Sequence, residues 1–97
     1  MVKLEYALSV LLDIKRLVDF LIDSSDIAAL ETFDIIDEAI QILKHHPNIG
    51  RHTSIPNKRE LVISRGHKGY IALYEFDKLT DRVAILAIKH QREQRYS

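Results

Sequence analysis

The 97-residue sequence has no cysteine and no tryptophan, only two prolines and three glycines, and no net charge. Without cysteine there is no disulfide framework, thiolate metal site, iron–sulfur cluster or cysteine nucleophile, and a reducing cytoplasm suits such a chain. No apolar run approaches the roughly 18 residues of a membrane span. Met1-Val2-Lys3-Leu4-Glu5-Tyr6 has neither the basic start nor the apolar stretch of a secretory signal. The glycines never fall into the GxGxxG pattern, and phosphate-loop and nucleophile-elbow signatures are missing too. Ser54 and Ser64 have no triad context. Zero net charge speaks against a chain that coats nucleic acid, and no direct sequence-specific binding of nucleic acid by the chain alone is expected. Five histidines occur, three of them close together (His45, His46, His52). Neighbouring histidines on a helix point about 100° apart and no HExxH spacing is completed, so neither a metal nor another cofactor is expected.

What is present reads as one globular domain over residues 1–97, with 46% hydrophobic and 29% charged residues. The charge is unevenly laid out. Residues 1–50 carry four basic against nine acidic side chains, net −5, and residues 51–97 carry ten against five, net +5. The chain is therefore expected to show two surfaces of opposite sign.

Val2–Tyr6 alternates and predicts a short strand. From Ala7 to Ile22 apolar residues recur at three and four (Ala7, Val10, Leu11, Ile14, Leu17, Val18, Leu21, Ile22), an amphipathic helix. Ser24-Ser25-Asp26 breaks it, and a second helix is predicted from about Ile27 to His45, with Leu30, Phe33, Ile36, Ile40 and Leu43 inward. Pro47 stops it. Asn48–Lys58 reads as a loop. Three period-2 runs follow, Arg59–Arg65, Tyr70–Phe76 and Arg82–His90, joined by short turns as a meander. The last run is apolar on both faces and belongs in a central position. The fold class is α+β: a short N-terminal strand and an antiparallel helical hairpin packed on a small, mainly antiparallel sheet.

Basic residues cluster on and around the strands: Arg51, Lys58, Arg59, Arg65, Arg92 and Arg95. Guanidinium groups in such numbers suit an acidic protein segment or nucleic acid. The order helix, helix, Gly50-Arg51, Arg59-Glu60-Leu61, then Gly69-Tyr70-Ile71-Ala72-Leu73-Tyr74 and Ile85 to Glu93 resembles the ParE branch of the RelE/ParE toxin superfamily. The resemblance spans nearly the whole chain, and the Gly-Tyr-x-Ala-Leu-Tyr strand and His90-Gln91-Arg92-Glu93 are its most specific parts. It implies the toxin of a type II toxin–antitoxin module, bound and silenced by a cognate antitoxin as a hetero-oligomer, with no membrane role. The ParE branch is associated with poisoning DNA gyrase, the RelE branch with cutting mRNA on the ribosome. Ribosome-dependent relatives commonly carry an arginine inside the middle strand; Ile71 stands there, and an alkyl group neither donates a proton nor stabilises a phosphorane. The resemblance thus implies target binding through the six basic residues named above and no catalytic residue. The antitoxin is expected on an apolar surface including Val10, Ile14, Leu17, Leu21, Tyr70 and Tyr74. The alternatives are a RelE-like ribonuclease, whose acid–base groups would be Lys89, His90 and Arg92, and a non-toxic interaction module.

Overall fold

The computed structural model describes residues 1–22, 26–65 and 68–91, with only the backbone of Leu21, Ser64, Arg65 and Lys68. A five-stranded sheet carries two helices. Strand β1 (Lys3–Tyr6) leads into α1 (Leu8–Ile22) and α2 (Asp26–Gln41). A 3-10 turn (Ile42–Lys44) follows, then β2 (Arg51–His52), β3 (Lys58–Arg65), β4 (Lys68–Asp77) and β5 (Arg82–His90). The spatial order is β1-β5-β4-β3-β2. β1 runs parallel to β5, and every other pairing is antiparallel. The apolar run Val83–Ile88 is central, flanked by the first and fourth strands, as its two-sided hydrophobicity requires.

β3 and β4 run one or two residues beyond the expected bounds, and two larger differences stand out. α2 gives way to the 3-10 turn at Ile42, three residues before the predicted end, as helices commonly tighten in their last turn. The expected loop Asn48–Lys58 contains β2, which no apolar period announces; Arg51 and His52 are strand only because they pair with Glu60 and Arg59. Ser24 and Ser25, where the first helix was expected to break, lie outside the described residues.

The core fills the space between the helices and one sheet face. Leu61, Ile63, Tyr70, Ala72, Tyr74, Val83, Ile85 and Ile88 meet Val10, Leu17, Ile36, Ile40 and Leu43. The strand register jumps from Leu73↔Ala87 to Tyr74↔Ile85, leaving Leu86 as an extra residue in β5. β1 ends opposite Ile85, so beyond it the β5 backbone has no strand on that side. Polar side chains of α1 serve it instead. Ser9 Oγ donates to the Leu86 carbonyl (2.9 Å), the buried Asp13 carboxylate accepts from Ile88 N–H (2.9 Å), and Arg16 donates to the Ile88 carbonyl (3.4 Å). Positions 9, 13 and 16 share one face of α1. No helix among the described residues is long and apolar enough to cross a membrane.

Candidate functional site

The basic residues do not form one patch. Lys58 and Arg59 are successive on β3 and point to opposite faces. Arg59 pairs in register with the inward Tyr74 and lies on the helix side of the sheet. There its guanidinium donates to the carbonyls of Asn48 (3.1 Å) and Gly50 (2.8 Å). The Tyr74 hydroxyl completes this anchor, accepting from Gly50 N–H (2.8 Å) and donating to the Pro47 carbonyl (2.8 Å). A Cβ on Gly50 would sit 2.6 Å from the Tyr74 ring, so glycine is required by the close approach. Tyr74 is fully buried, and burial pushes its phenol up despite the Gly50 amide and the nearby Arg59.

On the outer face, Lys58 Nζ meets Glu75 at 2.9 Å, Arg51 Nε meets Glu60 at 3.1 Å, and Arg82 meets Glu5 at 3.0 Å. Of the expected target-binding residues, Arg51 and Lys58 are thus ion-paired and Arg59 holds a loop. The Arg65 side chain and all of Arg92 and Arg95 lie outside the described residues. Lys89 and His90 also face opposite ways: His90 packs its ring edge-on against Tyr70 (centroids 5.5 Å apart), whereas Lys89 pairs in register with Ile71. Arg92, the third ribonuclease candidate, lies outside the described residues. Among the described residues no group of three or more His, Asp or Glu could hold a metal ion.

The apolar surface expected to receive an antitoxin needs correction. Val10, Leu17, Tyr70 and Tyr74 are buried in the chain's own core and offer nothing to a partner. Of Leu21 only the backbone is described, and of the other five Ile14 alone lines a surface groove. That groove lies along the two helices. One hollow of about 400 Å³ is lined by Val18, Ile22, Asp26, Ala29, Leu30 and Phe33. A second, of about 260 Å³, is lined by Tyr6, Leu11, Ile14, Phe33, Asp37 and Ile40 among others, so the two meet at Phe33. Burial and the Asp37 carboxylate together push the Tyr6 phenol up.

Leu30 and Phe33 were expected inward, yet they are 67% and 45% exposed, while Ala29, Thr32, Ile36 and Ile40 take the inward face of α2. Leu8, Leu11 and Leu12 on α1 are likewise exposed. The signal was present as an excess: these helices carry more apolar positions than one buried stripe can use. A contiguous apolar surface of this kind marks an interaction site.

With this geometry in view, comparisons with known proteins place the chain's family and its fold. The profile of the family described as ParE toxin of type II toxin-antitoxin system, parDE, matches residues 4–95. A solved structure, titled "Chromosomal ParDE TA system from P. aeruginosa", superposes with a TM-score of 0.77 at 20% identity, covering 93% of this chain and 96% of that one. At that identity the likeness speaks to the fold. A comparison with curated proteins finds no match.

Proposed function

This chain belongs to the ParE toxin family of type II toxin–antitoxin systems, and on that premise we propose that it arrests growth by poisoning DNA gyrase and is neutralised by direct binding of a cognate antitoxin. The observation that carries the reading is the family match across residues 4–95. The proposal takes residues 1–97 as one toxin domain acting in the cytoplasm, without a cofactor and without binding nucleic acid by itself. The opposite orientations of Lys89 and His90 support a binding mechanism over RNA cleavage, because two groups on opposite sheet faces cannot serve one scissile phosphate.

The antitoxin is assigned to the groove along α1 and α2, which is apolar and long enough for a helix. Gyrase is assigned to cations. Each of these pairs keeps one member open to solvent (Arg51, Glu75) and one half-buried (Glu60, Lys58); surface ion pairs contribute only about 0.2–1 kcal/mol, so Arg51 and Lys58 are taken to exchange Glu60 and Glu75 for an acidic target. Arg59 is withdrawn from the target set, since releasing it would free two loop carbonyls. Arg65, Arg92 and Arg95 remain on sequence grounds. The test is Arg92→Ala with Arg95→Ala, read by colony survival on induction, gyrase-dependent DNA breakage, circular dichroism and antitoxin pull-down. The expected result is a folded, antitoxin-binding chain that no longer arrests growth. A folded and fully toxic double variant would move the active surface to Arg51, Lys58 and Arg65. Ribosome-primed mRNA cleavage abolished by His90→Ala would replace the gyrase reading with a ribonuclease.

A further inference from the structure

α2 bears five acidic residues and no basic one. Their placement is not random. Asp26, Leu30, Phe33 and Asp37 are spaced by four, three and four, so they fall along one stripe of the helix, within about 60° of each other at about 100° per residue. All four line the groove. Two apolar side chains are therefore bracketed by two carboxylates about 16 Å apart along the axis. Among the described residues neither carboxylate has an ion-pair partner; Asp37 accepts a 3.4 Å hydrogen bond from Gln41 and lies close enough to the Tyr6 phenol to push it up.

We infer that the antitoxin segment seated on this groove is an amphipathic helix of about four turns whose apolar anchors are bracketed by two lysine or arginine side chains about eleven residues apart. This rests on the reading that an antitoxin binds here, and adds the chemistry by which it is recognised. Apolar contact with Leu30 and Phe33 supplies affinity, and the two carboxylates fix register and steer encounter. A second copy of this chain fits poorly. Its own α2 would bring carboxylates against carboxylates, and the apolar face of α1 (Leu8, Leu11, Leu12) is followed by Lys15, which already pairs with Asp19 at 2.7 Å.

The experiment uses the full chain and the protein encoded beside it. Asp26→Lys with Asp37→Lys reverses the stripe, while Asp34→Lys with Glu38→Lys makes the same charge change on the same helix away from it. The melting temperature of each variant is measured alongside, since Asp26 also lies in the first turn of α2 where a carboxylate favours the helix dipole. Dissociation constants are read at low and high salt, and hydrogen exchange identifies the protected partner segment. The stripe reversal is expected to weaken binding roughly 10- to 100-fold at low salt and less at high salt, the off-stripe pair only a few-fold. The protected segment is expected to carry the two cations. If the wild-type chain binds the partner but both reversals match it within about twofold, or if the protected segment lacks the cations, the inference fails and the antitoxin reading stands. If the wild-type chain does not bind the neighbouring protein, the antitoxin reading itself fails and this one with it. A free homodimer that Leu30→Lys converts to monomer would assign the groove to self-association and overturn the inference.

Discussion

Replacing Asp13 by alanine is expected to loosen the molecule at its centre. The carboxylate is buried in α1 and accepts the Ile88 amide at 2.9 Å, with Arg16 3.8 Å away. Alanine leaves that amide facing a helix with nothing to accept it. A hydrogen bond to a charged group contributes about 1.5–3 kcal/mol, and a buried orphaned donor costs about 1–3 kcal/mol. The two figures overlap because they describe the same bond, and the loss beside Arg16 adds to it, so the expected cost is roughly 2–4 kcal/mol. For a chain this small each kcal/mol lowers the melting temperature by about 4–8 °C, giving a drop of about 10–30 °C. Asp13→Asn keeps an oxygen acceptor and is expected to cost about 1 kcal/mol. Urea titration measures both, and amide exchange at Ile88 reads the bond directly. Equal costs for alanine and asparagine, or unchanged Ile88 exchange in the alanine variant, would refute the idea that α1 serves the strand backbone.

Gly50→Ala is expected to cost about 1–3 kcal/mol, because the new methyl meets the Tyr74 ring and hydroxyl at 2.6 Å and the Glu60 carbonyl at 2.9 Å. Combined with Tyr74→Phe, which removes the clashing oxygen, the cost is expected to fall below the sum of the single changes in a thermal double-mutant cycle. Alkaline stability follows from the raised Tyr74 phenol. The unfolded phenol ionises near its ordinary value of about 10 and the folded one higher, so the stabilisation is complete below about pH 10 and is lost as pH rises through the folded value. Denaturant midpoints between pH 9 and 12 are expected to fall less steeply in Tyr74→Phe.

The helices and the three long strands were legible because their periods are clean, and the central position of β5 because Val83–Ile88 has no polar face. β2 was not legible, since Arg51 and His52 become strand through pairing with residues that follow them. The site was harder. Hydrophobicity alone does not say which way a residue faces, so Leu30 and Phe33 read as core although the stripe through Ala29, Thr32 and Ile36 supplies it. Conversely, Val10 and Tyr74 read as available when they are the interior. The basic residues were countable from sequence, but their pairing with Glu60 and Glu75 depends on strand register, which composition does not reveal. Asp13 went unremarked in the inward stripe of α1 because its partner is a backbone amide 75 residues away.

The pairing of β1 with β5 also governs when the protein can exist as such during synthesis. At roughly 5–20 residues per second, the 75 residues between Tyr6 and Arg82 take about 4–15 s to make. Throughout that interval the nascent β1 has no neighbour, Asp13 and Arg16 have no β5 backbone to hold, and the apolar stripe of α1 has no β5 to cover it. The helical pair, with its acidic-rimmed groove, emerges first, while β1 joins the sheet only when β5, the strand between it and β4, arrives. A partner seated on the helices as proposed would thus find its groove on the growing chain before β5 is made.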